Sequence, residues 1–219
     1  MKAMILAAGR GERMRPLTDS LPKPLLHVKG KALIEWHIER LAKNGFKEIV
    51  INIAHLGHKI PEYIKDGSKW GMSIHYSDEQ QSGALESAGG IKKALPLLGN
   101  EPFLIVNGDI FCDYEFDPEF TLKENILAHL VLVQNPEHNL QGDFGLQNGY
   151  ITNNADTMYT FSGIGYYHPK LFKDVSLQKS PLAPLLRENI EKNRVSGELF
   201  NKMWHDIGTP KRLKDINEN

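Results

Sequence analysis

MKAMILAAGRGERMRPLTDSLPKPLL, residues Met1 to Leu26, opens with an apolar run that two glycines break. Ala3 to Ala8 has the length and content of a buried β-strand. Gly9, Arg10 and Gly11 follow at once. Glycines let backbone N–H groups come close to a bound group, because no side chain stands in the way. Arg13, Arg15 and Lys23 then put three cations on one loop, which closes on Pro22-Lys23-Pro24. A strand end, a glycine turn and clustered cations suit a polyphosphate. Neither common phosphate motif accounts for them. There is no G-x-x-x-x-G-K-[ST], and Met14 stands where G-x-G-x-x-G needs its third glycine. Pro16 and Pro22 interrupt any helix that would start directly after the glycines. The stretch predicts an anion held by a long loop, not mainly by a helix N-terminus.

Outward from this loop the chain alternates. A tight turn at Lys29-Gly30-Lys31 leads to Ile34, Ile38 and Leu41 at helical spacing, with a stop near Asn44-Gly45. Glu48 to Ala54 reads as a second buried strand. Ile60, Tyr63 and Ile64 share a helical face that ends at Asp66-Gly67. Met72 to Tyr76 alternates as a third strand, residues 78–84 form a polar loop, and Ala88 to Leu98 is helical. Phe103 to Val106 is a fourth strand, stopped by Asn107-Gly108-Asp109. Such alternation predicts an α/β fold: a mixed, mostly parallel central sheet with helices on both faces. Ligands of open sheets sit outside the carboxyl ends of the strands. The glycine loop and Asp109 both lie at such ends, so they are predicted to meet on one rim.

The second half changes texture. Ala128 to Val133 is another strand. Gln141 to Tyr150 and Tyr159 to Tyr167 read as short strands with glycine turns, a small antiparallel region. Leu182 to Ile190 is helical, Met203 to Gly208 is a strand or loop carrying Asp206, and Thr209 caps a final short helix. No repeat, linker or low-complexity tract divides the chain. One domain over 1–219 is expected, with a nucleotide half at 1–110 and an acceptor half at 111–219.

Bulk properties narrow the function. A chain of 219 residues with 41% hydrophobic content can bury a core. A net charge of −1 provides no global field for nucleic acid or an acidic membrane, so neither is an expected partner. No apolar run approaches the roughly 18 residues of a membrane span. The one cysteine, Cys112, fits a reducing compartment, and the cytoplasm is the expected location. The nine histidines lack H-E-x-x-H or any other zinc spacing, and there is no G-x-S-x-G elbow.

Three further places could carry chemistry. Asp109 ends a buried strand, where a carboxylate needs a cation or hydrogen-bond donors. It reads either as a magnesium ligand or as a capping residue of an N-G-D turn. Asp206, in Trp204-His205-Asp206-Ile207-Gly208-Thr209, reads either way too. Leu85-Glu86-Ser87-Ala88-Gly89-Gly90 joins a polar loop to a helix start. Its glycines would let a flat base be read by main-chain hydrogen bonds, and Ser87 would serve as the N-cap.

The string Ala7-Ala8-Gly9-Arg10-Gly11-Glu12-Arg13-Met14-Arg15-Pro16-Leu17-Thr18, with Pro22-Lys23-Pro24, closely resembles the signature of the sugar-1-phosphate nucleotidyltransferases. The N-G-D and W-x-D-[IV]-G-T motifs stand in that family's order, and the middle motif is similar to its L-E-T-x-G-G. The likeness runs from Met1 to about Leu213. It is nearest to the short uridylyltransferases of peptidoglycan recycling that act on N-acetylmuramate 1-phosphate, through strings such as Leu182-Ala183-Pro184-Leu185-Leu186-Arg187. The resemblance implies a Rossmann-like nucleotidyltransferase fold. It also implies the substrates: a nucleoside triphosphate, UTP in that branch, and a sugar 1-phosphate. Magnesium would be held by Asp109 and Asp206. Arg13 would hold the leaving pyrophosphate and Lys23 the α-phosphate, with Asp109 the third catalytic residue. Ala7, Ala8, Gly9, Arg10, Gly11, Glu86 and Gly89 would bind the nucleotide. Asn107, Asp143, Ser162 and Gly163 would face the sugar. The chain is expected to act as a monomer. Mannose- and glucose-1-phosphate enzymes share the first loop and both aspartates, so they stay open. So does a non-catalytic sugar-nucleotide sensor, which would be expected to have lost a cation or an aspartate.

Overall fold

The computed structural model describes residues 1–81 and 83–218. Ser82, inside the loop expected over 78–84, and Asn219 lie outside the described residues. The apolar opening forms strand β1, Lys2–Leu6. The basic loop after it is built from three short 3-10 turns, at Glu12–Met14, Leu17–Asp19 and Lys23–Leu25. A small hairpin, β2 (His27–Val28) with β3 (Lys31–Ala32), turns into helix α1, Leu33–Lys43. Then come β4 (Glu48–Ile53), α2 (Lys59–Ile64), β5 (Ser73–Asp78), α3 (Glu86–Leu98) and β6 (Phe103–Asn107).

The second half contributes β7 (Ile110–Cys112), β8 (Ala128–Val133), β9 (Phe144–Gln147), β10 (Tyr150–Thr152) and β11 (Met158–Tyr167). Helix α4 (Leu182–Glu191), β12 (Val195–Phe200), β13 (Trp204–Asp206) and α5 (Pro210–Glu218) complete it. Nine strands make one sheet in the order β5-β4-β1-β6-β11-β8-β12-β10-β9. β5, β4, β1 and β6 are mutually parallel, as the alternation predicts. β11 enters antiparallel beside β6, and β8 beside β11. The antiparallel strands expected in the second half are thus present. They continue the same sheet across the boundary between the two halves.

Period-two alternation sorts each strand onto two faces. Ala3, Ile5, Ile49 and Ile51 point to one side and pack with Ile34, Ile38 and Leu41 of α1 and Ile60 and Ile64 of α2. Met4, Val50, Phe103 and Ile105 point to the other and pack with Ile91, Ala94 and Leu98 of α3 and Leu186 and Ile190 of α4. A third, smaller cluster sits under the first loop. There Leu213 and Ile216 of α5 pack against Met14, Leu26, Val28 and Ile207. The C-terminal helix thus clamps the basic loop from outside, and Asn217 Oδ1 accepts a 2.6 Å bond from Lys29 N–H. No helix among the described residues is long and apolar enough to cross a membrane.

Two expectations need correction. Tyr159 to Tyr167 is not a set of short pieces around glycine turns but part of one ten-residue strand. Its register slips between Phe161 and Ile164, so Ser162-Gly163 is a bulge inside that strand. Ser87 does not cap α3, which starts one residue earlier at Glu86 with no side-chain cap. Instead the main-chain oxygen of Ser180 accepts from Ala88 N–H (2.9 Å) and Gly89 N–H (3.1 Å). Thr209 does cap α5, its Oγ1 accepting from Arg212 N–H at 3.3 Å.

Candidate active site

A cleft of about 400 Å³ opens at the carboxyl ends of β1, β4 and β6. Ala7, Ala8, Gly9, Gly11, Arg13 and Lys23 form its loop side, and Asn107, Gly108 and Asp109 its β6 side. Glu86 and Ser87 at the start of α3 close the third side. The rim meeting predicted for the glycine loop and Asp109 is therefore present. Its cause is local: β1 and β6 are parallel neighbours, with Leu6 opposite Asn107, so both strands end at one level.

The loop is held in shape from within. Gly11 has φ +65, and a Cβ there would fall 2.8 Å from Thr18 Cγ2. Both features require glycine. Its carbonyl accepts from Met14 N–H (2.8 Å) and from Thr18 Oγ1 (2.9 Å). Gly9 faces open space, so a ligand can reach its backbone. Arg13 is exposed and lines the cleft. The remaining loop arginines point elsewhere. Arg15 pairs with Glu12 at 3.3 Å and Asp19 at 3.1 Å. Arg10, expected to bind the nucleotide, leans towards Glu12 at 3.8 Å and is not among the residues that line the cleft.

Lys23 and Asp109 meet. Lys23 Nζ lies 2.6 Å from Asp109 Oδ2, and the lysine side chain is only 11% exposed. Asp206 comes beside them because β13 pairs with β7, setting Asp206 opposite Ile110. Ile207 N–H then donates to the Asp109 carbonyl at 2.7 Å. Asp206 Oδ1 is engaged by Arg212 Nη1 at 2.6 Å and lies 3.0 Å from His138 Nε2. Each aspartate thus has one oxygen against a cationic side chain and one outside that pair. No group of three or more His, Cys, Asp or Glu side chains gathers for a metal among the described residues. Asp109 lines the cleft, and Asp206, which does not, follows on the neighbouring strand β13. Their free carboxylate oxygens are still of the type magnesium takes, since it uses one or two carboxylates and completes its shell with substrate phosphates and water.

A buried polar brace, not anticipated from the sequence, backs the cleft. Asn52, at the end of β4, accepts from Ala7 N–H through Oδ1 at 2.8 Å. Its Nδ2 donates to Glu79 Oε1 at 2.8 Å, and Glu79 Oε2 accepts from Leu85 N–H at 2.8 Å. Glu79 is fully buried. Three strand ends and the α3 approach are thereby tied to one carboxyl group. The Ala7 amide is consumed in this brace, so Ala7 contributes a wall and not a donor. Gly89 is likewise consumed. Its N–H goes to Ser180, a Cβ on it would fall 2.4 Å from Gln178 O, and it does not line the cleft. Gly89, expected to bind the nucleotide, therefore stands here in a close-packed position behind the cleft wall. A polar residue interrupting the apolar run EIVINIA was the available signal for Asn52; Glu79 had none.

The expected sugar-side residues divide. Asn107 and Asp143 line a second cleft of about 320 Å³, which shares Asn107 and Ser87 with the first. Ser162 does not reach it. That residue is 1% exposed, and its hydroxyl donates to Val131 O at 2.6 Å and accepts from Ile164 N–H at 3.1 Å. Gly163 is also outside the cleft. With φ +81 it leaves space that Asn107 fills, and a Cβ would fall 2.6 Å from Asn107 Nδ2. Both, expected to face the sugar, are placed in the bulge behind Asn107.

Comparison with known proteins agrees with this geometry. The family model described as Nucleotidyl transferase matches residues 2–148. An N-acetylmuramate alpha-1-phosphate uridylyltransferase of Neisseria meningitidis serogroup B is 52% identical over 98% of this chain and 96% of its own length. A protein of the same description from Caulobacter vibrioides is 30% identical over 95% of this chain and 92% of its own. Among solved structures, a protein assigned as a glucose-1-phosphate thymidylyltransferase from Bacillus anthracis superimposes with a TM-score of 0.85 at 22% identity, covering 100% of this chain and 94% of that one. On these matches, the chain belongs to the nucleotidyl transferase family.

Proposed function

We propose that this chain makes a nucleotide sugar and pyrophosphate from UTP and N-acetylmuramate 1-phosphate. One observation carries the reading: a glycine loop, Arg13 and the Lys23–Asp109 pair converge in a single cleft at the ends of parallel strands. The 52% identity to a uridylyltransferase of that specificity supports the choice of substrates.

An oxygen of the sugar 1-phosphate attacks the α-phosphorus of UTP. The new P–O bond forms as the bond to the β-phosphate oxygen breaks. The attacking phosphate is already anionic, so no general base is required. Catalysis is then positioning plus charge stabilisation. Arg13 meets the leaving pyrophosphate. Lys23 sits as a point charge between Asp109 and the α-phosphate. The open backbone at Gly9 admits the phosphate chain, and the main chain at Glu86 and Ser87 faces the base. Magnesium would be held by Asp109 and Asp206, and when bound it supplies charge neutralisation of the two phosphates. Asn107 and Asp143 face the sugar. We place the reaction in the cytoplasm, as a salvage step for a cell-wall sugar carried out by a monomer. The buried, unpaired Cys112 suits a reducing compartment.

The test is pyrophosphate release with magnesium over a grid of four nucleoside triphosphates and several sugar 1-phosphates. Turnover is expected to be greatest with UTP and N-acetylmuramate 1-phosphate. A preference for GTP with mannose 1-phosphate would overturn the substrate choice. No release with any pair would overturn the catalytic reading in favour of a sensor.

A further inference from the structure

The second cleft has an uneven chemistry. Phe144, Phe161, Pro181, Leu182, Ala183 and Leu186 give it a largely apolar wall. Among the described residues that line it, Asp143 and Arg187 bear the only formal charges. Asp143 is already served on one oxygen: Oδ2 accepts from Phe161 N–H at 2.8 Å and from Asn139 Nδ2 at 3.2 Å. Arg187 is not matched in this way. Its Nη2 donates to the Asp143 main-chain oxygen at 3.2 Å and its Nη1 to Asn153 Oδ1 at a long 3.4 Å. Both acceptors are neutral. The guanidinium carbon lies 4.9 Å from the centre of the Phe144 ring. Among the described residues no carboxylate pairs with Arg187.

A guanidinium held over an aromatic face by neutral acceptors is placed without being neutralised. It offers five N–H donors in a planar fork, and a carboxylate fits that fork with two parallel bonds. From this arrangement we infer that Arg187 recognises a carboxylate carried by the sugar acceptor, while the apolar wall takes the hydrocarbon that bears it. The inference rests on the reading of the two joined clefts as the nucleotide and sugar sites, and it names the acceptor class as an acidic sugar 1-phosphate. N-acetylmuramate differs from N-acetylglucosamine by one lactyl ether, a methyl-bearing carbon ending in a carboxylate. The methyl matches the wall, and the carboxylate matches Arg187. Asp143 keeps Oδ1 outside its two bonds and serves as acceptor for a sugar hydroxyl. Its negative charge would repel the substrate carboxylate, which is why a cation on the same wall decides selectivity.

Two measurements test this on the full chain. The first compares kcat/KM for N-acetylmuramate 1-phosphate and N-acetylglucosamine 1-phosphate in the wild type, Arg187→Gln and Arg187→Lys. Arg187→Gln is expected to lose about 10- to 100-fold on the carboxylate-bearing sugar, mostly through KM, and to change less than about threefold on the neutral one; the expected loss is that of a charge-assisted hydrogen-bonded pair. Arg187→Lys should recover part of the loss. The second is calorimetric titration with UDP-N-acetylmuramate and UDP-N-acetylglucosamine, which needs no turnover and should show the same selective loss. Equal losses on both sugars, or no loss on either, would overturn the role of Arg187. A wild type that uses or binds the neutral sugar and ignores the acidic one would instead overturn the choice of substrate.

Discussion

Lys23 and Asp109 show how one pair serves two ends. Their ion pair spans 2.6 Å in a place where the lysine is almost covered. A covered pair responds to the loss of one partner more strongly than an exposed one, because a charge is left without compensation. Asp109→Asn, Asp206→Asn and Lys23→Ala are each expected to lower kcat about 100-fold or more, the usual cost of removing a placed charge stabiliser. Thermal melts should show all three folded. The double variant Lys23→Ala/Asp109→Asn should be little worse than either single one, since the two act as a unit. Near-normal turnover in either aspartate variant would refute the metal assignment. Arg13, Lys23 and Asp109 were legible in the sequence because each stands in a local motif beside a strand end. Asn52, Glu79, Arg187 and Arg212 were not. Asn52 and Arg187 meet Ala7 and Asp143, 45 and 44 residues away, and only folding sets those pairs. Glu79 and Arg212 bond six residues along the chain, to Leu85 and Asp206, across irregular backbone that has no periodicity to read.

The bulge in β11 teaches the same lesson at the level of an element. The strands β1, β4 and β6 are read easily because they are short apolar runs buried on both faces. β11 hides its continuity, since Ser162-Gly163 looks like a turn when only neighbours in sequence are considered. What keeps it a strand is pairing on both sides, with β6 and with β8. The slip in register then lets Gly163 take φ +81 behind Asn107, while Trp204 Nε1 donates to Ser162 O at 3.0 Å and ties the bulge to β13. The bulge thus sets the position of a residue common to both clefts. Gly163→Ala adds a Cβ at a left-handed φ and against Asn107. It is expected to destabilise the fold by about 1–3 kcal/mol, read as a lower denaturant midpoint. Displacement of Asn107 should also raise KM for the sugar 1-phosphate more than KM for UTP. An unchanged midpoint would mean that the bulge relaxes freely.

Across the whole molecule, the sheet with helices on both faces leaves little room for charge inside, and two histidines are caught there. His37 on α1 is buried, and its Nε2 finds no hydrogen-bond partner among the described residues. Burial, and then the nearby Arg40 cation, pull it down to about 4, against a smaller opposing effect from Asp109. His129 on β8 is lowered as well, again mainly by burial, with Glu198 opposing; its Nε2 lies 4.0 Å from Glu198 Oε1 and has no hydrogen bond among the described residues. Both are therefore neutral in the folded chain at pH 7. In the unfolded chain each takes a proton near pH 6.5. Below that pH the unfolded state binds more protons than the folded one, so stability falls as pH drops. The contribution of His37 is complete above about pH 6.5 and is lost progressively towards pH 4, on the order of 3 kcal/mol in total. Melting temperatures should accordingly decline from pH 7 to pH 5, before most carboxylates titrate. His37→Leu keeps an apolar side chain in the same space and should make that decline shallower, whatever its effect at pH 7. His129→Gln, which can still meet Ser196, should do so to a smaller degree. If neither variant changes the slope, the acid sensitivity does not originate in these buried rings, and the acidic side chains paired across the cleft become its source.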